Sequence, residues 1–404
     1  MTVSSSDSNW WTSPFLVIAP MGLLCLIVPD VRDFFLDTGQ RWAYVFLLAF
    51  LVTFTLTPLV RRLGIKFGVM DIPTERRIHQ ISTPRVGGVG VFIGLALAVL
   101  GNWIIPEKVA VILLGGLLLM LVGIFDDACG LPAWFKLVVQ LTASGLVVWW
   151  GMVLSLFPTG FLGDIGNIAL TIFWLIGITN AFNFMDGMDG LAGGLAVIIA
   201  FFLGVVAFQT NQPELGWLSI GIIGAVLGFL PFNFRKNGSA LIFLGDGGST
   251  FLGFTLAALA VMGEWADGNA IVSFSNPILI FWVLIYDMVH LTVDRMVAGK
   301  IHSFKDWIDY VGKDHIHHRL ARVLGGNRAS VLMIYCLTIC LGLGAIGLRS
   351  AETADALILL MQAILIVIML TVFEFRSRGN STQNSVATHP GQSTLTPNPE
   401  APPS

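Results

Sequence analysis

Twelve apolar runs separated by polar loops are the feature that most limits how this chain can fold. Crossing the ~30 Å hydrocarbon core of a bilayer takes roughly 20 apolar residues in a helix, and the runs approach that length. Only 12% of the residues are charged and 55% are hydrophobic, whereas a soluble domain carries about 25% charged residues. These proportions exclude a soluble globular enzyme and a disordered chain. The runs lie near residues 13–29, 42–60, 87–105, 108–125, 134–152, 167–182, 191–209, 215–231, 240–262, 275–293, 328–347 and 355–374.

We therefore predict an all-α fold, a polytopic integral membrane helical bundle of about 11–12 transmembrane helices. The run at 13–29 is the weakest, because it is short and contains Pro20, so it either spans the membrane or lies at the interface. Residues 379–404 are rich in Ser, Thr, Pro, Asn and Gln, a composition typical of disorder. The predicted organisation is a transmembrane domain over 1–378 followed by a disordered cytoplasmic tail.

Basic residues give the bundle an orientation. All but four of the 22 Lys and Arg residues fall in loops on one side of the membrane, the exceptions being Arg32, Arg41, Lys108 and Arg349. Cytoplasmic loops carry the excess of Lys and Arg in membrane proteins, so the basic side is predicted to be cytoplasmic. Five loops on this side also hold nearly every residue capable of chemistry. The net charge of -3 gives no reason to expect a nucleic-acid partner.

An adjacent pair of carboxylates, Asp126 and Asp127, ends an otherwise apolar run. Such a pair at a membrane boundary repels itself unless a cation or a basic partner lies nearby. Lys136 begins the next run and can face the pair across the short turn. There it could snorkel to the interface or hold a lipid phosphate. A solvated helix end is the alternative interpretation of the two aspartates.

Three oxygen-bearing side chains, Asn183, Asp186 and Asp189, recur at every third residue. In a helix this spacing places them on roughly one face, where they suit Mg²⁺ or a ribose and base. A helix cap is the structural alternative. Asp246, which glycines flank before a long apolar run, is either an N-cap or the second carboxylate of a metal site.

Two basic segments complete the polar residues of this side. The first contains His315, His317, His318 and Arg319, and the second contains Arg76, His79 and Arg85. Three close histidines without a cysteine match no closed zinc pattern, whereas a diphosphate would gain charge-assisted hydrogen bonds there. A solvated helix is the alternative for the histidines. Together the loops suit a Mg²⁺-bound nucleotide-diphosphate donor from the cytosol and a lipid-phosphate acceptor from the bilayer.

The order of these motifs resembles the polyprenyl-phosphate N-acetylhexosamine-1-phosphate transferase family over roughly residues 42–348. Each motif is weak alone, but five in order on one membrane side are specific. The matching stretches are Asp71-x-Pro73 with Thr83-Pro84-Arg85-x-Gly87-Gly88, Gly123-x-x-Asp126-Asp127, Asn180-Ala-x-Asn183-x-x-Asp186-Gly-x-Asp189-Gly, Gly245-Asp246 and His315-x-His317-His318. The histidine motif is similar to the branch of the family that uses UDP-GlcNAc.

The resemblance implies a role for each site. The implied catalytic residues are Asp126, Asp127, Asp186 and Asp189. The implied ligands of Mg²⁺, for which Mn²⁺ could substitute, are Asn183 and Asp246. The implied substrate-binding residues are Lys136 for the lipid phosphate and, for the donor, Arg76, His79, Arg85, His315, His317, His318 and Arg319.

The implied reaction moves an N-acetylhexosamine 1-phosphate, most simply GlcNAc 1-phosphate, from a UDP-sugar to undecaprenyl phosphate and releases UMP. It would initiate synthesis of a cell-surface polysaccharide, such as O-antigen or capsule. The enzyme would be surrounded by lipid in the bacterial inner membrane, as a monomer or a homodimer, with its active site facing the cytoplasm.

Two alternatives remain open at this point. A transporter would place its ionisable residues near the bilayer midplane, whereas those of this chain lie at segment ends facing the cytosol. Asp287 and His290, inside the run at 275–293, are the exceptions that favour a transporter. Another lipid phosphotransferase, of the CDP-alcohol phosphatidyltransferase type, also uses spaced aspartates, but the Asp-Gly-x-x-Ala-Arg opening is absent from this sequence.

Overall fold

The computed structural model describes residues 14–71, 82–104, 106–236, 238–265, 269–299, 315–348 and 351–387. This part of the chain forms fifteen helices and one pair of short strands. The helices are α1 Phe15–Ile27, α2 Pro29–Asp37, α3 Arg41–Phe67, α4 Gly87–Gly101, α5 Glu107–Cys129, α6 Ala133–Trp149, α7 Phe161–Phe184, α8 Leu191–Gln209, α9 Pro213–Asn233, α10 Gly245–Met262, α11 Ala270–Ile280, α12 Trp282–Val297, α13 Ile316–Leu324, α14 Asn327–Gly347 and α15 Thr353–Ala387. The strands are β1 Met70–Asp71 and β2 Thr83–Pro84.

Helices occupy all twelve predicted apolar runs, so the chain is an all-α, multi-pass membrane bundle, as predicted. Among the described residues, seven helices are individually long and apolar enough to cross a membrane, or up to eight if the bent pair α11–α12 forms one span. The predicted number of 11–12 also included α10, which is not among these candidate spans, and α1, α4 and α6, which are apolar but only 10–17 residues long. Helices of that length fall short of the roughly 20 residues that a crossing requires.

Helix α10 lies at the centre of the bundle, where it packs against α4, α5, α7 and α8. Every residue from 245 to 261 is buried except Asp246, which is half-buried. The polar start of this helix is therefore enclosed by its neighbours, and Asp246 lies where the enclosure opens.

Glycines set how closely the central helices approach. Gly248 lies directly against Gly88 of α4, and Gly247 lies directly against Gly123 of α5. Because neither residue of a pair carries a side chain, the backbones meet, as small residues allow in membrane helices. This contact brings the first turn of α10 to the end of α5.

Backbone hydrogen bonds fasten the loops at this end of the bundle. Strands β1 and β2 pair antiparallel and join the end of α3 to the start of α4. Phe243, just before α10, donates to the Pro84 carbonyl at 2.8 Å, and Gly87 donates to the Phe243 carbonyl at 2.9 Å. Asp71 and Arg85 therefore lie at the same end as the start of α10.

Helices α11 and α12 are separated by an 80° bend. The break falls at Phe281, four residues after Pro277, and proline is a common cause of such bends. The side chain of Asn276 donates to the Ala345 carbonyl at 2.7 Å and so fixes α11 against α14.

The last helix, α15, continues to Ala387 and so extends into the segment that composition assigns to a disordered tail. Residues 388–404 lie outside the described part of the chain, where the predicted disorder stays a prediction.

Candidate active site

The Asp127 carboxylate is buried where α5 meets α10, with none of its side chain exposed. One oxygen accepts a hydrogen bond from the backbone N–H of Asp246 at 2.8 Å. The other lies 3.2 Å from the Arg85 guanidinium, which also approaches Asp71 to 3.5 Å. A buried charge is tolerated when it is paired and hydrogen-bonded, and Asp127 meets both conditions. Arg85 thus bridges two carboxylates.

Asp126 is held by α6 and by the turn before it. The Lys136 ammonium lies 2.8 Å from one oxygen of Asp126, and the N–H of Leu131 donates to the other at 2.6 Å. The structure thus places Lys136 across the turn from the aspartate pair, as the sequence predicts. The Lys136 side chain is 39% exposed, which leaves it accessible to an anionic ligand. Its role toward a lipid phosphate stays a prediction.

Asp246 stands in the first turn of α10, where its carboxyl group is close enough to that of Asp126 for the two groups to interact. Two neighbouring negative charges repel each other, so a proton or a cation between them would be favourable. The N-terminal end of α10 adds a positive partial charge beside them. This arrangement could hold a divalent cation between α5 and α10.

Asp186 joins this cluster from the loop between α7 and α8. It accepts a hydrogen bond from the N–H of Gly245 at 3.2 Å. Burial raises the pKa of the Asp186 carboxyl well above its ordinary value; the charge of Arg85 opposes this shift, while those of Asp246 and Asp127 add to it. Asp186 therefore interacts electrostatically with carboxylates from two other elements.

A second set of hydrogen bonds holds the end of the same loop. The N–H of Ala240 donates to Asp189 at 3.0 Å. Gly190, at a φ of +83° that favours glycine, donates its N–H to the Asn233 side chain at 2.8 Å. The Asn233 amide in turn donates to the Ile242 carbonyl at 3.1 Å. Asn233 thus joins the loop after α7 to the segment before α10, and one Asp189 oxygen serves the same purpose.

Asn183 lies in the last turn of α7 and is half-buried. Within the described residues, its side chain makes no hydrogen bond, including none to Asp246. Its assignment as a metal ligand stays a prediction.

The histidine segment is buried rather than solvated. His315 Nδ1 lies 2.7 Å from Asp287. His317 is 1% exposed, and neither of its ring nitrogens has a hydrogen-bond partner in the part of the chain that is described. Burial lowers the pKa of His317 well below its ordinary value, and the charges of His318, His315 and Arg319 lower it further. A positive charge on His317 is therefore disfavoured in this structure, and its role toward a diphosphate stays a prediction.

The histidine segment also contacts the loop that carries Asp186. A Cβ atom at Gly187 would lie 2.5 Å from His317 Nε2, so the ring occupies the space that this glycine leaves. The His315 ring packs 4.9 Å from the Phe184 ring. The structure thus brings the histidines to the same end of the bundle as the aspartates.

The remaining predicted donor-binding residues differ in their placement. Arg319 is 3% exposed and lies 4.0 Å from Asp287, with its guanidinium 5.9 Å from the centre of the Tyr286 ring. It therefore packs inside the fold in this structure. Arg76 and His79 lie outside the described residues.

Three residues that hold the site were not among the predicted site residues: Asp71, Asn233 and Asp287. Asp71 belongs to a motif that the sequence analysis did single out. Asp287 carried a signal as well, because an ionisable residue inside an apolar run marks a functional position by default. Nothing in the local sequence distinguishes Asn233, whose partners lie 43 and 9 residues away along the chain.

A helical membrane bundle that gathers carboxylates and basic side chains at one end is typical of enzymes that act on phosphorylated substrates at a membrane face. Comparison with known proteins identifies the family. Residues 109–264 match the model of glycosyl transferase family 4. The chain is 35% identical over 340 residues to the probable undecaprenyl-phosphate N-acetylglucosaminyl 1-phosphate transferase of Bacillus subtilis (strain 168), covering 83% of this chain and 92% of that protein.

Two further relatives extend the comparison. The decaprenyl-phosphate N-acetylglucosaminephosphotransferase of Mycolicibacterium smegmatis is 32% identical over 383 residues, covering 85% of this chain and 92% of that protein. The undecaprenyl-phosphate alpha-N-acetylglucosaminyl 1-phosphate transferase of Yersinia pestis is 29% identical over 327 residues, covering 78% and 85%. The chain belongs to glycosyl transferase family 4, which confirms the resemblance seen in its motifs.

Proposed function

We propose that this protein transfers N-acetylglucosamine 1-phosphate from UDP-GlcNAc to undecaprenyl phosphate, forming undecaprenyl-diphospho-GlcNAc and UMP. The observation that carries the proposal is the meeting of Asp126, Asp127 and Asp246 at one end of the bundle, with Lys136 and Arg85 paired to the first two. Such a cluster suits a polyanionic donor and a lipid phosphate together. The names of the Bacillus subtilis and Yersinia pestis relatives support N-acetylglucosamine as the sugar.

The proposed step is a phosphoryl transfer. An oxygen of the lipid phosphate forms a bond to the β-phosphorus of UDP-GlcNAc, and the bond from that phosphorus to the oxygen bridging the two phosphates breaks. UMP leaves with the bridging oxygen. Such reactions depend chiefly on positioning and on neutralising charge. The acceptor needs little deprotonation, because the second pKa of a phosphomonoester is about 6.

The charged pairs of the site give each substrate a place. Lys136, oriented by Asp126, would bind the lipid phosphate as a point charge. Arg85, oriented by Asp127 and Asp71, would face the donor diphosphate, as would the histidine segment. Asp186 would lie close to the donor nucleotide, because it shares the electrostatic environment of Asp127 and is in contact with the first residue of α10.

Mg²⁺ fits the donor set at the start of α10, with Mn²⁺ as a substitute. The neighbouring carboxyl groups of Asp126 and Asp246 would gain from a cation between them, and oxygen ligands are those that Mg²⁺ prefers. Among the described residues, no three His, Cys, Asp or Glu side chains are grouped as a complete metal site. Water and substrate phosphates would therefore complete the coordination, which is common for Mg²⁺. When bound, the ion supplies charge neutralisation for the diphosphate.

The location of the reaction follows from the charge distribution. The site lies at the end of the bundle where the basic loops collect, and those loops are cytoplasmic in membrane proteins. We place the protein in the bacterial inner membrane, with its active site facing the cytoplasm, where it would initiate a surface polysaccharide. Mass photometry of the solubilised protein would distinguish a monomer of 43.8 kDa from a homodimer.

The transporter alternative loses its main support. Asp287, which favoured it, is paired with His315 at the same end as the aspartates. The pairing with His315 explains why a carboxylate is buried at this position, so no transported ion is needed to explain it.

The test uses membranes that contain the protein, UDP-GlcNAc labelled in the sugar, and undecaprenyl phosphate. We expect a labelled lipid to form and to return to UDP-GlcNAc when UMP is added in excess. Asp246→Asn should abolish both directions while the protein still reaches the membrane. A labelled lipid that UMP cannot reverse, or full activity in Asp246→Asn, would contradict the proposal.

A further inference from the structure

Asp287 is a carboxylate with no exposed surface inside an apolar helix. Burying a charge in such a place is costly unless it is paired and hydrogen-bonded. Asp287 has no part in the proposed phosphoryl transfer, and its burial keeps it from touching a substrate. Its contacts within the fold therefore indicate what it does.

Both oxygens of Asp287 serve the histidine segment, which is 28–29 residues away along the chain. One oxygen lies 2.7 Å from His315 Nδ1, and the other accepts the backbone N–H of Ile316 at 2.6 Å. Ile316 is the first residue of α13, and His315, in the N-cap position, makes no side-chain capping bond of its own. Asp287 therefore replaces the missing cap of α13 from a different helix.

The same contact fixes the tautomer of His315. A carboxylate is only an acceptor, so Nδ1 must carry the hydrogen, and Nε2 is left as the ring nitrogen that can act on another group. The Phe184 ring packs 4.9 Å from the His315 ring, and the His317 ring stacks on it at 5.8 Å with an interplanar angle of 8°. The orientation of His315 is therefore restricted from three directions.

We propose that Asp287 is a positioning residue for donor binding: it orients His315 and the first turn of α13 so that the histidine segment can contact the diphosphate of the UDP-sugar. The proposal rests on the proposed function for the identity of that donor. Its effect should appear in the use of UDP-GlcNAc and leave the use of the lipid acceptor nearly unchanged, because Lys136 and Asp126 belong to other elements.

Asp287→Asn is the informative change, because it keeps the size of the side chain. The amide retains one acceptor, so it cannot accept from both His315 Nδ1 and the Ile316 N–H. We expect the KM for UDP-GlcNAc to rise about ten- to hundredfold, the scale of one lost charge-assisted hydrogen bond. The KM for undecaprenyl phosphate should change by less than about threefold on the same scale. Asp294→Asn, the same change at an exposed position of α12, is the matched control and should behave as the wild type.

A double-mutant cycle shows whether Asp287 acts through His315. If it does, Asp287→Asn should cause little further loss in a His315→Ala background, because residues in one hydrogen-bonded unit are not additive. Independent, multiplying losses would overturn the proposal. An equal fall in the use of both substrates, together with a lowered melting temperature, would also overturn it, since that result indicates a purely structural role.

Ligand-induced stabilisation separates this proposal from the proposed function. UDP-GlcNAc should raise the melting temperature of the wild type and of Asp294→Asn, and this rise should be much smaller in Asp287→Asn. If the wild type shows neither turnover nor stabilisation, the proposed function fails. If the wild type shows both and Asp287→Asn matches it, only the role of Asp287 fails.

Discussion

Replacing Gly123 by alanine tests the geometry that brings the aspartates together. In α5, Gly123 lies against the backbone of Gly247, and a Cβ atom added there would be 2.7 Å from the carbonyl carbon of Asp246. The same Cβ atom would be only 2.4 Å from the N and Cα atoms of Gly247, whereas ordinary contact begins at 3.4 Å, so the first turn of α10 would have to move by about 1.0 Å. Backbone atoms cannot yield by rotating, unlike the end of a flexible side chain. The displacement therefore falls directly on Asp246.

We expect Gly123→Ala to reduce the rate of transfer strongly while lowering the free energy of unfolding only slightly. Overpacking of a core typically costs about 1–3 kcal/mol, and replacing a helical glycine by alanine returns about 1 kcal/mol. The net cost to stability is then about 0–2 kcal/mol. A misplacement of about 1 Å can cost on the order of 100-fold in rate, so we expect kcat to fall about 10- to 100-fold.

The assay is initial-rate transfer at saturating substrates with a melting curve of the same detergent-purified sample. Gly145→Ala is the matched control, because it adds the same methyl group in α6 where nothing lies within 4 Å. That variant should keep full activity. Equal activities for Gly123→Ala and Gly145→Ala would refute the close approach of α5 and α10 on which the site depends.

Three further predictions concern single ionisable residues. Lys136→Ala should raise the KM for undecaprenyl phosphate about 10- to 100-fold, the scale of a lost charge-assisted contact, and should change the KM for UDP-GlcNAc far less. The reverse pattern in substrate titrations would show that the binding sites of the donor and the acceptor have been exchanged in this account. Asp186→Asn should abolish transfer yet raise the melting temperature of the substrate-free protein at pH 7, because a carboxyl group with a raised folded pKa destabilises the fold when it is charged. The rise in melting temperature should shrink as the pH falls toward 4, and a lower melting temperature than the wild type at pH 7 would contradict the prediction. Below about pH 6.5, His317 should lower the free energy of unfolding by up to about 1.4 kcal/mol per pH unit, because its depressed folded pKa lets the unfolded chain take up a proton first. Melting curves between pH 7 and pH 5 should lose this dependence in His317→Gln, and an unchanged slope would argue against a neutral, buried ring.

The fold was largely predictable, because hydropathy alone locates helices in a bilayer. The predicted runs coincide with helices, but the 80° bend between α11 and α12 was not foreseen. A continuous apolar run shows only that the segment can be buried, and it does not show whether the helix bends within the run. The short helices α4 and α6 were counted as full spans for the same reason.

The sequence predicts which residues belong to the site better than it predicts the contacts between them. Asp126 and Lys136 could be paired from the sequence, since one short turn separates them. The bonds from Asp287 to His315 and from Asn233 to Gly190 could not, because they join residues 28 and 43 positions apart. Local propensity does not encode which distant loops meet, so these positioning contacts became visible only in the folded structure.

The position of the phosphorus atom tests the central claim most directly. UDP-GlcNAc labelled with ³²P in the β-phosphate should be incubated with the purified protein, Mg²⁺ and undecaprenyl phosphate in liposomes. Transfer of the sugar 1-phosphate carries the β-phosphorus, so the label should enter the lipid one for one with the sugar, and the released UMP should be unlabelled. A labelled UDP product with sugar but no ³²P in the lipid would contradict the account, because it would mean that the sugar alone is transferred.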